Sequence, residues 1–246
     1  MEAAERLIVA ADYDPRKEGG INGVERKVME LAESLRGLGV VIKVNSVLRA
    51  LGYEHIRTLQ CLGLKVFADL KLCDIPQTME FDAAMLQEYG PNFVTVMCSA
   101  GVEGMSRVQA VLGKGTKVLG VTILTSLDEE ECQAIFTCST RAGVLRFARL
   151  AQLARLPDLI LAPVEAEMLA RKQELVLGFN TPNIRPDWSL VKEDDQNRAR
   201  AMTPAKAIAA GVSRVVIGRP ITQAVNPREA AERTLEEIQA ALAAVK

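Results

Sequence analysis

Histidine is almost missing from this chain: His55 is the only one among 246 residues. A histidine-rich metal site and a Ser-His-Asp triad are therefore not expected. His55 itself falls in a helical stretch, Tyr53-Glu54-His55-Ile56-Arg57, and is expected to be exposed. Cysteine occurs five times, at 61, 73, 98, 132 and 138, an odd number with no CxxC pair. A reduced, cytoplasmic protein is the reading that this usage supports. No apolar run approaches the ~20 residues of a membrane span. The first residues, Met1-Glu2-Ala3-Ala4-Glu5-Arg6, lack the basic start and apolar core of a signal peptide. Thirty Lys and Arg face 31 Asp and Glu, with no long block of either sign. Neither nucleic acid nor a membrane is expected as a partner. Linkers, low-complexity segments and short repeats are absent too, so one domain spanning residues 1–246 is expected.

What is present is an alternation. Short β-branched apolar runs lie at 7–12, 40–45, 64–71, 93–97, 117–124, 158–162, 174–180 and 214–218. Between them are stretches of helical period, at 24–38, 76–89, 102–112, 142–153 and 203–210, with a last helix at 228–245. In the first of these, Val24, Val28, Leu31, Ala32 and Leu35 fall on one face. Thr203-Pro204 reads as an N-cap followed by proline at the first helical position. Strict βα alternation argues for a parallel sheet covered by helices. Eight units in a chain close to the roughly 250 residues of one barrel predict an α/β fold, a single (β/α)8 TIM barrel. An open doubly wound sheet is the alternative, although no GxGxxG follows the first strand to make it a dinucleotide site. Residues 181–202 have no clear period. A βα loop of that length, at the end of a barrel where active sites lie, predicts a functional lid.

Parallel barrel strands are buried on both faces and should read as near-continuous apolar runs. Four of these strands instead carry charge at or near the C-terminal end. Asp12 follows Leu7-Ile8-Val9-Ala10-Ala11, and Lys43 interrupts Val40-Val41-Ile42-Lys43-Val44. Asp69 and Lys71 end Val66-Phe67-Ala68-Asp69-Leu70-Lys71, and Arg219 follows Val215-Val216-Ile217-Gly218. Such side chains are rarely buried unless paired. Asp69 and Lys71 are two apart, which in an extended strand places them on one face. Charges of both signs at one barrel end point to a polar active site. A structural ion-pair cluster plugging the barrel mouth is the alternative.

The segment Asp69-Leu70-Lys71-Leu72-Cys73-Asp74-Ile75-Pro76-Gln77-Thr78 resembles the DxKxxDIPxT signature of the orotidine 5′-phosphate decarboxylase family. The resemblance continues through Asp12, Lys43 and Leu124-Thr125-Ser126. It takes in Thr181-Pro182-Asn183-Ile184-Arg185-Pro186, then Asp195-Gln196-x-Arg198, and ends with Ile217-Gly218-Arg219-Pro220-Ile221-Thr222. It implies decarboxylation of orotidine 5′-phosphate (OMP) to UMP and CO₂ in pyrimidine synthesis, with no metal and no organic cofactor. Lys71 would donate the proton to C6 of the pyrimidine, and Asp69 would lie beside the departing carboxylate. Lys43 would hold Asp69 and, with Asp12, contact the ribose. Asp74 and Thr78 would reach the active site of the second subunit of a homodimer, with Ile75 also at the substrate. Thr125 would contact the pyrimidine. Arg185, Gln196, the Gly218 backbone and Arg219 would bind or enclose the 5′-phosphate, with Pro182 also at the substrate. Related barrel enzymes that act on sugar phosphates with a metal are the nearest alternative. A catalytically silent nucleotide-binding barrel is a second.

These roles have a physical basis. Arginine offers a planar fork matched to phosphate oxygens. Loss of CO₂ leaves a carbanion at C6 with no adjacent electron sink, and an ammonium there both stabilises the charge and supplies a proton. Four departures stand out: Cys73 where the family commonly has His, Gln77 for Asn, Met97 for His, and Asn183 for Gly. None of the four carries a proton in this scheme. Asparagine is also the non-glycine residue best able to take a positive φ, so the segment around Asn183 is expected to keep its backbone course.

Overall fold

The computed structural model of the chain describes residues 1–189 and 202–244. Its strands are β1 (Leu7–Ala10), β2 (Val41–Val44), β3 (Lys65–Leu72), β4 (Phe93–Met97), β5 (Lys117–Val121), β6 (Asp158–Ile160), β7 (Gly178–Thr181) and β8 (Arg214–Ile217). They neighbour one another in sequence order, and β1 pairs in parallel with β8, which closes the barrel. This is the (β/α)8 architecture that the alternation predicts. β1, β2 and β8 are buried at every position, as parallel strands covered by helices should be. No helix among the described residues is long and apolar enough to cross a membrane.

The chain comprises two compact units. The first consists of Met1–Asp69, Asn183–Ala209 and Arg214–Lys246. It holds β1, β2, β8 and the greater part of β3. Its helix Ile21–Leu35 buries Val24, Val28, Leu31, Ala32 and Leu35, the face expected from their spacing. That helix stops at Leu35, three residues short of the expected end, where Arg36 leaves the helical region and Gly37 takes φ 80°. Between β2 and β3 the chain makes two helices, Ser46–Leu51 and Glu54–Cys61, separated by Gly52 at φ 91°. His55 is not exposed as its sequence context suggests. It is half-buried, with Nε2 3.0 Å from Glu25 Oε1, beside the fully buried Ile56.

The second unit consists of Leu70–Pro182 and Ala210–Ser213. Proline at the first turn opens its helix Pro76–Tyr89, and Gly90 in the left-handed region closes it. After β5, Asp128 and Glu131 form a reciprocal capping box that starts the helix Glu129–Phe136. Ser139 then caps Thr140–Leu153. Two strands differ from expectation. β5 ends at Val121 rather than 124, because Leu124–Ser126 turn away and Leu127 N–H closes on the Leu124 carbonyl at 3.0 Å. β7 begins at Gly178 rather than 174, and Val176, counted as a strand residue from its type, is 85% exposed. Gly178 sets this register: a Cβ there would lie 1.8 Å from Asp158 Oδ1 on the paired strand.

Candidate active site

In the first unit the register of the strands assembles the charges. Ala10 of β1 faces Lys43 of β2, which in turn faces Phe67 of β3. The Ala11 N–H donates to the Lys43 carbonyl at 2.9 Å, which carries the ladder one step past β1 and delivers Asp12 beside Lys43. The Lys43 ammonium donates to Asp12 Oδ1 and Oδ2 at 3.1 and 3.0 Å, and to Asp69 Oδ2 at 3.1 Å. The Lys43 and Asp69 side chains are 8% and 11% exposed, whereas Asp12 is 48% exposed. Burial alone would push the Lys43 ammonium below its ordinary value. The Asp12 and Asp69 charges, with the hydrogen bonds to both, outweigh it and hold Lys43 above that value. The trio keeps one negative charge in excess.

The second unit carries Lys71, Asp74, Thr78 and Thr125. Lys71 has φ 51°, an uncommon conformation for a residue with a side chain. Two-residue alternation therefore applies only as far as Leu70, and the direction of the Lys71 side chain does not follow from the strand period. The Lys71 N–H donates to Thr95 Oγ1 at 2.9 Å, and Thr95 on β4 is fully buried. Thr95 was not among the residues expected at the site. The available signal is its hydroxyl in the apolar run Val94-Thr95-Val96. Asp74 is exposed and accepts a hydrogen bond from the Ile75 N–H at 2.6 Å. Burial, and then the Asp74 charge, push the Asp82 carboxyl above the ordinary range. Thr78 is half-buried on the helix Pro76–Tyr89, and Thr125 is exposed in the turn after β5.

The phosphate candidates lie on the segments after β7 and β8. Pro182 and Arg185 are half-buried, and the Arg185 N–H donates to the Met202 carbonyl at 3.0 Å. Gly218 caps the short helix Arg219–Thr222, whose first residue Arg219 is exposed. Gln196, with most of the expected lid of 181–202, lies outside the described residues. Among the described residues no three His, Cys, Asp or Glu side chains converge as a possible metal-ligand set.

Comparison with known proteins decides the family. Residues 5–234 match the model of the orotidine 5′-phosphate decarboxylase / HUMPS family. The chain is 34% identical to an orotidine 5′-phosphate decarboxylase of Heliobacterium modesticaldum, over 99% of both chains. It is 36% identical to the one from Pseudomonas fluorescens strain SBW25, over 94% of this chain and 97% of the relative. This chain belongs to that family. Among solved structures, the orotidine 5′-phosphate decarboxylase of Lactobacillus acidophilus superposes with a TM-score of 0.75 at 29% identity, covering 95% of this chain and 99% of that one.

The departures from the orotidine 5′-phosphate decarboxylase pattern can be placed. Asn183 takes φ 61°, as its substitution for glycine requires. Cys73 and Gln77 are exposed, and Met97 is half-buried at the end of β4. All five cysteines are free thiols, three of them buried.

Proposed function

We propose that the chain is an orotidine 5′-phosphate decarboxylase that forms UMP and CO₂ in de novo pyrimidine synthesis. The observation that carries the reading is the buried Lys43–Asp69 pair, extended by Asp12 and built on adjacent strands immediately before Lys71. The names and near-complete coverage of the relatives support it. In this mechanism the C6–carboxylate bond breaks, and its electron pair stays on C6. Lys71 gives C6 a proton and regains one from solvent. Fixing an ammonium at the atom where charge develops avoids reorganisation during the reaction. Asp69 stands where the substrate carboxylate arrives. Two like charges at ~4 Å repel by about 4 kcal/mol at an effective dielectric of 20, and departure of CO₂ relieves this. Enzyme accelerations require ~8–23 kcal/mol, so carbanion stabilisation and binding energy from the remote phosphate supply the larger share. Lys43 and Asp12 contact the ribose, Thr125 the pyrimidine, and Arg185, Gln196, the Gly218 backbone and Arg219 the phosphate, with Pro182 also at the substrate. No metal or organic cofactor takes part.

Residues 1–246 act as one barrel domain, with 181–202 as its phosphate-binding loop. The working unit is a homodimer in which Asp74, Ile75 and Thr78 reach the other subunit's site. Supporting this, Asp74 and Ile75 are exposed together. On the adjoining helix Phe81 and Met85, one turn apart, are 56% and 63% exposed. The cytoplasm suits the reaction and the free thiols. The test is the absorbance change of OMP with purified protein, with and without EDTA. Turnover in both arms is expected. No turnover at micromolar enzyme rules out the reading, and turnover lost with EDTA rules out the metal-free mechanism.

A further inference from the structure

The segment after β7 leaves and returns through two stems, both of which touch the helix Pro227–Ala244. On the outgoing stem Ile184 bridges Met202 in parallel sense, and Arg185 adds its N–H to the Met202 carbonyl. The chain then makes a tight turn, Asp187–Ser189, in which the Ser189 N–H and hydroxyl both donate to the Pro186 carbonyl at 2.9 Å. The returning stem enters the helix Pro204–Ala209. One helix joins the two stems. Glu237 accepts from the Ala205 N–H of the returning stem at 3.5 Å. Four residues earlier on the same helix face, Arg233 stacks over the Trp188 ring, with Cζ 4.9 Å from its centroid. The Trp188 Nε1 is buried with no hydrogen-bond partner among the described residues, so the ring face rather than the N–H secures this side chain.

Glu237 is half-buried, and none of the site roles uses it. Burial pushes its carboxyl upward and the nearby Asp187 charge adds to this, while the backbone at Ala205 and Asp187 opposes it. The Glu237–Ala205 bond and the Arg233–Trp188 stack, one turn apart on one helix, constrain the separation of the two stems. Arg185 sits between the constraints, with the Ile184–Met202 bridge on one side and the Asp187 turn on the other. A fork that binds phosphate gains affinity when its backbone is fixed in advance.

We propose that Glu237, with Arg233 stacked on Trp188, is a positioning residue that holds Arg185 ready for the substrate phosphate. This rests on the reading of Arg185 as a phosphate ligand. It acts on binding and not on the bond-breaking step.

The test compares UMP with uridine on the full chain by calorimetric titration, alongside kcat and KM for OMP. Glu237→Ala should weaken UMP about tenfold, the effect of losing a charge-assisted contact, and leave uridine unchanged. KM should rise by a similar factor at unchanged kcat. Glu237→Gln keeps a carbonyl acceptor and should recover most of the affinity. Arg233→Ala, at an exposed position, gives a second variant if Glu237→Ala folds poorly. It should lower the UMP-to-uridine ratio and shift the emission of Trp188, the only tryptophan, to the red. In an Arg185→Ala background, Glu237→Ala should add nothing. An unchanged ratio in Glu237→Ala, or an equal loss in the Arg185→Ala background, overturns the inference. An unchanged ratio in Arg185→Ala alone overturns the phosphate reading, and the inference with it.

Discussion

Replacing Lys43 with methionine tests the physical core of the site, because it keeps the side-chain length and removes the charge. The variant leaves Asp69 buried without the ammonium that lay 3.1 Å away. At that distance and an effective dielectric of 20, the pair's attraction is about 5 kcal/mol. The contact to Asp12 is discounted, since that side chain is about half exposed. Removing one partner of a buried pair typically destabilises by about 3–5 kcal/mol, and this is the loss expected in urea unfolding at neutral pH. The sign with pH is also fixed. Lys43 is held above its unfolded value, so its contribution is complete below ~10.4, the unfolded lysine value, and disappears as pH rises through the folded value. The stability gap between wild type and Lys43→Met should therefore narrow in alkali. Subtracting the two curves cancels Tyr13, whose hydroxyl burial and then the Glu18 and Glu30 charges push up to about 12. A loss below ~1 kcal/mol at neutral pH, the scale of a surface ion pair, would refute the argument that burial makes this array strong.

Further outcomes follow from the same geometry. Lys71→Ala should abolish turnover while UMP still binds, a loss at or beyond the ~10²–10⁴-fold of general acid catalysis; near-normal kcat would remove Lys71 as proton donor. Thr95→Val removes the acceptor of the Lys71 N–H, with an expected cost of about 1–3 kcal/mol in stability and a larger fall in kcat than in UMP affinity. Unchanged kcat would show that the Lys71 backbone does not depend on that hydroxyl. Mixing inactive Asp69→Ala and Asp74→Ala subunits should restore activity through hybrid dimers with one intact site, and inactive, confirmed heterodimers would refute shared sites. Arg219→Ala should lose affinity for UMP and not for uridine, and an unchanged ratio would remove Arg219 from the phosphate contacts.

The alternation of apolar runs revealed the barrel because buried parallel strands have little use for charge, so Asp12, Lys43, Asp69 and Arg219 stood out against them. Pairing of Lys43 with both carboxylates was less legible, since it depends on the β1–β2–β3 register, which no local pattern encodes. The left-handed backbone at Lys71 was invisible: lysine carries no signal for positive φ, and the Thr95 hydroxyl that meets its N–H comes from another strand. Asn183 was the opposite case, a residue whose type announced its backbone. Val176 misled because β-branching describes a preference, whereas the start of β7 is set by the room that Gly178 leaves for Asp158. His55 misled because a helix periodicity gives faces without saying which neighbour covers them.

The Ile184–Met202 bridge, with the Arg185 N–H bond to the same residue, also bears on how this loop can change. The closure is made at the neck, on both sides of Arg185. A single residue inserted between Ile184 and Asp187 shifts Arg185 out of register with its clamp, so the length of the chain is fixed at the neck.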